Sequence, residues 1–197
     1  MDLDEKVTLS EWRSEWAEDF EVLAEELSGA LGGLALRIDH IGSTSVPGLP
    51  AKDVIDVQVI VGNLDCESIT RAMGTIRFEH KNQEWNLRDH LPAGWTGDPD
   101  QWAKLVFGPP RDARVSNVHV RVSRAPNERY ALLFRDFLRA DDSARLAWAR
   151  FKTQLAENTN TLAGYGAVKD PATDLLLALA EAWAEDFGWS VPEHRTS

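Results

Sequence analysis

The chain holds a single cysteine, Cys66, so no internal disulfide can fasten the fold. No thiol-activating base lies beside it in the sequence, which reads it as a spare residue near a helix start and fits a reducing compartment. No apolar run approaches the roughly 18 residues of a membrane span. The opening residues Met1-Asp2-Leu3-Asp4-Glu5 lack the basic and apolar regions of a secretory signal, so a cytoplasmic location is expected. Positive charge is scarce: 21 Lys and Arg face 32 Asp and Glu, for a net charge of −11. That balance argues against a broad nucleic-acid surface, which needs a basic face to displace counterions. A small anion is still compatible, because a local cluster of cations can dominate one pocket of an acidic protein. Repeats and low-complexity tracts are missing as well.

What is present is ordinary for a globular protein: 43% hydrophobic and 27% charged residues. The length suits one domain, expected as an α/β core over 8–125, helices over 126–187 and a frayed tail over 188–197. Thr8 and Glu11 have capping-box spacing, and Trp12, Trp16, Phe20, Leu23, Leu27 and Leu31 then recur at helical steps until Gly32-Gly33. Strands are predicted over 34–39 and 54–61, the second apolar enough to be central. A short helix over 65–77 and a weak strand near Phe78 follow. The polar stretch 81–102, with Trp85, Trp95 and Trp102, reads as a long functional loop. There the tryptophans form a lid or anchor the loop to the body.

Strands over 104–108 and 115–122 are joined by a turn. In the second, Val118, Val120 and Val122 alternate with Asn117, His119 and Arg121. Three helices close the chain. The first, to about Ala140, is capped by Asn127. The next spans 143–156, with Leu146, Phe151 and Leu155 inward. Pro171 sits in the first turn of the last, which turns Leu175, Leu176, Leu179, Trp183 and Phe187 inward. The fold class is α+β (mixed α/β): a mixed sheet with helices on one face and a C-terminal helical part.

The segment that carries chemistry is His40-Ile41-Gly42-Ser43-Thr44-Ser45-Val46-Pro47-Gly48-Leu49, between the first two strands. Gly42 lets backbone approach a ligand, and Ser43, Thr44 and Ser45 add three hydroxyls within one turn. Backbone amides and hydroxyls there make an anion-binding concavity, or simply a turn that caps itself. Twelve residues separate Ser43 from Asp56, which sits inside an apolar strand, where a carboxylate is costly unless it binds a metal or pairs with a charge. A Gly-Ser turn followed by a strand carboxylate is the nucleotidyltransferase pattern, in which the turn holds phosphates and the carboxylates hold magnesium. Two departures stand out. Position 58, where a second acid belongs, is Gln58, and the later strand offers Asn117, His119 and Arg121 rather than a third acid. His119 can ligate a metal, move a proton or donate to phosphate, or serve as a hydrogen-bonded structural histidine.

These residues resemble the GrpB-like family of bacterial proteins. The likeness rests on Ile38-Asp39-His40 through Leu49, Ala51-Lys52 and Ile55-Asp56, extended by Val118-His119-Val120, by 133–139, and by Tyr165 and Lys169. It implies a nucleotidyltransferase-like fold. Because a similar domain occurs fused to dephospho-coenzyme A kinase, it also implies a nucleotide, a coenzyme or another phosphorylated small molecule as partner. Asp53 stands where relatives tend to have proline.

The remaining candidates are cations and one aromatic. Arg135 and Arg139 lie one helical turn apart and can fork onto a phosphate, or Arg135 can pair with Asp136. Lys52 follows the turn and either reaches an anion or stays solvated. Tyr165 and Lys169, placed in a loop before the last helix, can stack on a base and contact a phosphate. His40 either points into the pocket or holds the turn. Two functions follow. One is a magnesium-dependent nucleotidyltransferase acting through Asp56 and His119, with Gly42 to Ser45, Lys52, Arg121, Arg135, Arg139, Tyr165 and Lys169 on the nucleotide. The other is a non-catalytic module that binds a nucleotide or coenzyme on a scaffold that has lost its acids.

Overall fold

A computed structural model describes residues 4–193. Of the tail expected over 188–197, residues 194–197 lie outside the described residues. The rest is docked: Trp189 Nε1 donates to Asp136, and Pro192 accepts a hydrogen bond from Arg37.

Helix α1 (Glu15–Leu31) begins seven residues later than Thr8. Ser10 instead exchanges two backbone hydrogen bonds with Ala51, which draws this segment into an extended bridge, and the Trp12 indole donates to the Thr44 carbonyl. The apolar stripe survives the shift: Trp16, Leu23, Leu27 and Leu31 are buried. Gly32, at φ +50°, ends the helix in a conformation that favours glycine.

Strands β1 (Ala35–Ile41), β2 (Ile55–Val61), β3 (Glu79–His80), β4 (Leu105–Gly108) and β5 (Ser116–Val122) form one sheet in the order β1-β2-β5-β4-β3. β2 pairs antiparallel with β1 and parallel with β5, and β4 pairs antiparallel with β5 and with β3. Helix α2 (Cys66–Thr75) is capped by Asp65, whose carboxylate accepts from the Ser68 amide.

Period-two alternation divides the sheet. Ile55, Val57, Val59, Val118 and Val120 pack under α1 and α2. Asp56, Gln58, Asn117, His119 and Arg121 point the other way, with Arg37 and Asp39 in register beside them. That second face is covered by α3 (Pro126–Ala140): Glu128 takes hydrogen bonds from Gln58 and Arg37. Helices therefore lie on both faces, not one. The reason is energetic, since a face carrying this many polar groups can be buried only if other elements supply their partners.

Helices α4 (Asp142–Asn158) and α5 (Leu162–Phe187) complete a second core with α3, in which Val46 and Leu49 of the β1–β2 connection are fully buried. Asn127 does not cap α3. It is fully buried, and its amide donates to Asp89 and to the Ala103 carbonyl. Pro171 lies inside α5, which starts nine residues earlier at Leu162, after the Thr161 cap. Burial of Tyr165 and its neighbours in those first turns offsets the backbone bond that proline removes. The inward residues of α5 are Leu176, Leu177, Ala180 and Ala184, while Leu175, Leu179 and Phe187 are exposed, as is Leu146 of α4.

Candidate functional site

β1 ends at Ile41, directly opposite Asp56 in the ladder. Gly42 follows at φ +69°, ψ −170°, a region essentially reserved for glycine. A Cβ on Gly42 would lie 2.5 Å from Asp56 Oδ2, so the carboxylate packs against the bare backbone of the turn. Asp56 Oδ1 accepts from Asn117 Nδ2 at 2.9 Å, and no ion pair engages Asp56 among the described residues. The acid and the turn face one hollow.

Within the turn the three hydroxyls have separate duties. Ser45 Oγ donates to the Gly42 carbonyl at 2.6 Å, and Thr44 Oγ1 sits 3.0 Å from His40 Nε2 and donates to the Val54 carbonyl. His40 stacks on Phe20, and burial, then the charges of Arg139 and Arg135, push its pKa down to about 4, so it is neutral near pH 7. Its role is the structural one. Ser43 alone presents its hydroxyl to the hollow with no bond back into the turn, and it accepts from Lys152 Nζ at 2.8 Å.

Arg135 and Arg139 do not reach the hollow. Arg135 donates to the His40 carbonyl and to Asp136, and Arg139 forks onto the Ser45 carbonyl at 2.9 and 2.6 Å. Their charge-assisted bonds clamp the turn from behind, which corrects the expectation that the pair forks onto a phosphate and bears out the alternative that Arg135 pairs with Asp136.

The hollow is a cavity of about 310 Å³ between the turn, the polar sheet face and α3, α4 and α5. It brings together Gly42, Ser43, Thr44, Lys52, Asp56, His119, Arg121, Tyr165 and Lys169 of the predicted residues, and leaves out Ser45, Arg135 and Arg139. Tyr165 and Lys169 stand one turn apart on α5 rather than in a loop. Burial leaves Tyr165 a neutral phenol, its pKa pushed up to about 12. Burial also lowers the pKa of Lys169, against the pull of Asp170 and Asp56. Trp85, Trp95 and Trp102 are not on the wall. Trp102 is buried and anchors the loop edge-on to Trp95 and Tyr130, and Trp85 is exposed.

Lys152 is the residue that sequence reasoning missed. It is buried, lies on the wall, and also donates to the Pro50 carbonyl at 2.5 Å. Burial and the charges of Lys169 and Lys52, opposed by Asp56, bring its pKa to about 7. The signal was present: Trp148, Lys152, Leu155 and Ala156 form one inward stripe of α4, and a lysine on such a stripe needs a reason.

Gln58 and Arg121 explain why the second acid is gone. Gln58 Oε1 accepts from Arg121 Nη1 at 2.6 Å, while its amide donates to Asp39 at 3.2 Å. Only an amide does both, and a carboxylate would face Asp39 across that gap. Arg121 also forks onto Asp89, which takes further bonds from Lys104 and Asn127. Burial works to raise the Asp89 pKa, but the charge and hydrogen bonds of Arg121 and the charge of Lys104 hold it far below the usual carboxylate range. Burial, Lys104 and Arg121 keep His119 neutral, and its Nδ1 is buried without a partner. Asp53 lies outside this hollow, paired with Arg13 and Arg114 and accepting from the Trp16 indole.

The donor set does not fit a resident magnesium ion. Among the described residues no three His, Cys, Asp or Glu side chains are grouped to hold a metal. The acids on the wall, Asp56 and Asp170, are matched by Lys52, Lys152 and Lys169.

The fold and this cavity define a mixed α/β protein whose site is built on the connection between its first two strands. The chain belongs to the GrpB protein family, whose description matches residues 6–178. It is 35% identical over 187 residues to a dephospho-CoA kinase of Mycolicibacterium paratuberculosis, covering 89% of this chain and 46% of that one. It therefore spans a little under half of that relative's length. It is 33% identical over 153 residues to a UPF0157 protein of Halalkalibacterium halodurans, covering 77% of this chain and 70% of the relative. The crystal structure of the conserved protein GrpB from Enterococcus faecalis superposes with a TM-score of 0.69 at 25% identity, covering 89% of this chain and 99% of that one. No described helix is long and apolar enough to cross a membrane.

Proposed function

We propose that the protein binds a small phosphorylated ligand, a nucleotide or coenzyme fragment, in the cavity beside Gly42 and Ser43, with lysines supplying the positive charge. The observation that carries this reading is the convergence of Lys52, Lys152 and Lys169, from three separate segments, on one wall with the Gly42-Ser43 turn. Burial lowers the pKa of Lys169 against the pull of Asp170 and Asp56, and an anion beside it favours its charged form in the same way. Tyr130, Phe134 and Tyr165 give the cavity an apolar side against which a ring or acyl chain can lie. The kinase name carried by several relatives supports a nucleotide-related ligand. This reading favours binding without a metal over magnesium-dependent nucleotidyl transfer, because Gln58 is committed to Asp39 and Arg121.

Equilibrium dialysis with labelled nucleoside mono-, di- and triphosphates, with and without magnesium, tests it. Saturable binding that needs no magnesium and weakens about tenfold in Lys169→Met, a loss of roughly 1.4 kcal/mol, is expected. Binding that requires magnesium and vanishes in Asp56→Asn would return the site to the metal-dependent reading, and absence of saturable binding would remove both.

A further inference from the structure

Two of the three hydroxyls in the turn are spent on the turn itself. Ser43 is different: it is half-buried on the cavity wall, and the one hydrogen-bond partner of its hydroxyl among the described residues is Lys152 Nζ at 2.8 Å. Lys152 arrives from the buried stripe of α4, a separate element, and its other contact is the Pro50 carbonyl at 2.5 Å. A neutral amine has two N–H groups and one lone pair. With one N–H on Pro50, the lone pair is left to accept the Ser43 hydroxyl proton. We propose that Ser43 and Lys152 form a nucleophile–base dyad through which the protein transfers a phosphoryl group, from a small phosphate ester or anhydride, to Ser43 and then to water.

The arrangement meets the geometric requirement for an activated nucleophile, a hydroxyl and a base within hydrogen-bond reach at a cavity wall. The groups facing Lys152 are Asp56 of β2, Lys169 and the neutral Tyr165 of α5, and Lys52 of the β1–β2 connection. Together with burial they place its proton equilibrium near neutrality, so both the base and its conjugate acid are populated. In the first step the Ser43 Oγ–P bond forms as the P–O bond to the leaving group breaks. The hydroxyl proton passes to Lys152 Nζ and is delivered to the leaving oxygen. In the second, water attacks phosphorus, the P–Oγ bond breaks, and the water proton returns through Lys152 to Ser43. Lys52 and Lys169 face the charge on the non-bridging oxygens, as a metal does elsewhere.

The substrate class rests on the anion-binding reading; the dyad does not, so the test uses a neutral electrophile. The intact protein is treated with a fluorophosphonate, and labelling is followed by mass and peptide mapping. One adduct on Ser43 is expected, formed with loss of fluoride, with a rate that rises with pH through a midpoint near 7. Ser43→Ala, which removes only the contact with Lys152, should stay folded by circular dichroism and take no label. Lys152→Met should slow labelling about 100-fold. An unlabelled wild-type protein, an adduct on another residue, a rate flat in pH, or equal labelling of Ser43→Ala overturns the dyad. If nucleotides bind both proteins by dialysis while neither takes label, the binding reading stands and the dyad alone falls.

Discussion

Lys152 brings a pH-dependent cost into the folded state. Unfolded, its amine keeps the ordinary lysine value of 10.5, and folded it titrates near 7. Between those values the unfolded chain binds more protons, so stability rises with pH across that window, and the full penalty is in force below pH 7. Urea midpoints of the wild type should therefore increase from pH 7 to pH 9. The slope should flatten in Lys152→Met, and an unchanged slope would show that the buried amine is not the titrating group. At this scale the sequence was uneven. Gly42 and Asp56 were legible because a glycine at a strand end and an acid in an apolar strand are locally anomalous. For Arg135 and Arg139 the sequence offered the Asp136 pair that Arg135 makes but not the clamp on the turn, because it shows a pair of donors and not what they donate to, here the carbonyls of His40 and Ser45.

Among the elements, the stretch between β3 and β4 is the one whose attachment was half legible: the sequence offered its tryptophans as anchors, as Trp102 is, but not its buried carboxylate. It has no hydrophobic period, and besides the buried Trp102 it is held by one carboxylate, Asp89, whose partners Arg121 and Lys104 lie 32 and 15 residues away. Nothing local distinguishes Asp89 from Asp98 or Asp100. The environments differ sharply, because Asp89 is buried against buried cations, whereas Asp100 meets Arg88 at the surface. Asp89→Ala should thus cost about 3–5 kcal/mol, because it strands Arg121 and Lys104 without a counter-charge. Arg88→Ala should cost under about 1 kcal/mol. Urea denaturation of both variants, with limited proteolysis within 81–102, reads the contrast, and similar losses in the two would refute it. The strands were easier. The alternation in β5 assigned its two faces correctly, since the period depends only on neighbours. That the polar face is covered by α3 depends on contacts across the chain, and periodicity carries no such information.

For the whole molecule, the net charge of −11 and the lysine-lined cavity act on a ligand at different distances. An anion approaching from solvent meets the summed negative field, and at low salt that field reaches about 30 Å. Once inside it meets the lysines of the cavity wall, the buried Lys152 and the half-buried Lys169 among them, whose contacts salt screens poorly. Raising salt from about 10 to about 150 mM shortens the reach of the repulsion to about 8 Å and leaves the cavity contacts nearly intact. The association rate of a fluorescent nucleoside monophosphate should therefore rise a few-fold over that range, while its dissociation rate stays nearly constant. Stopped-flow mixing at the two salt concentrations gives both rates. A steep fall in affinity with salt would instead place the anion on exposed surface cations, where counterion release governs binding, and would take the ligand away from Ser43 altogether.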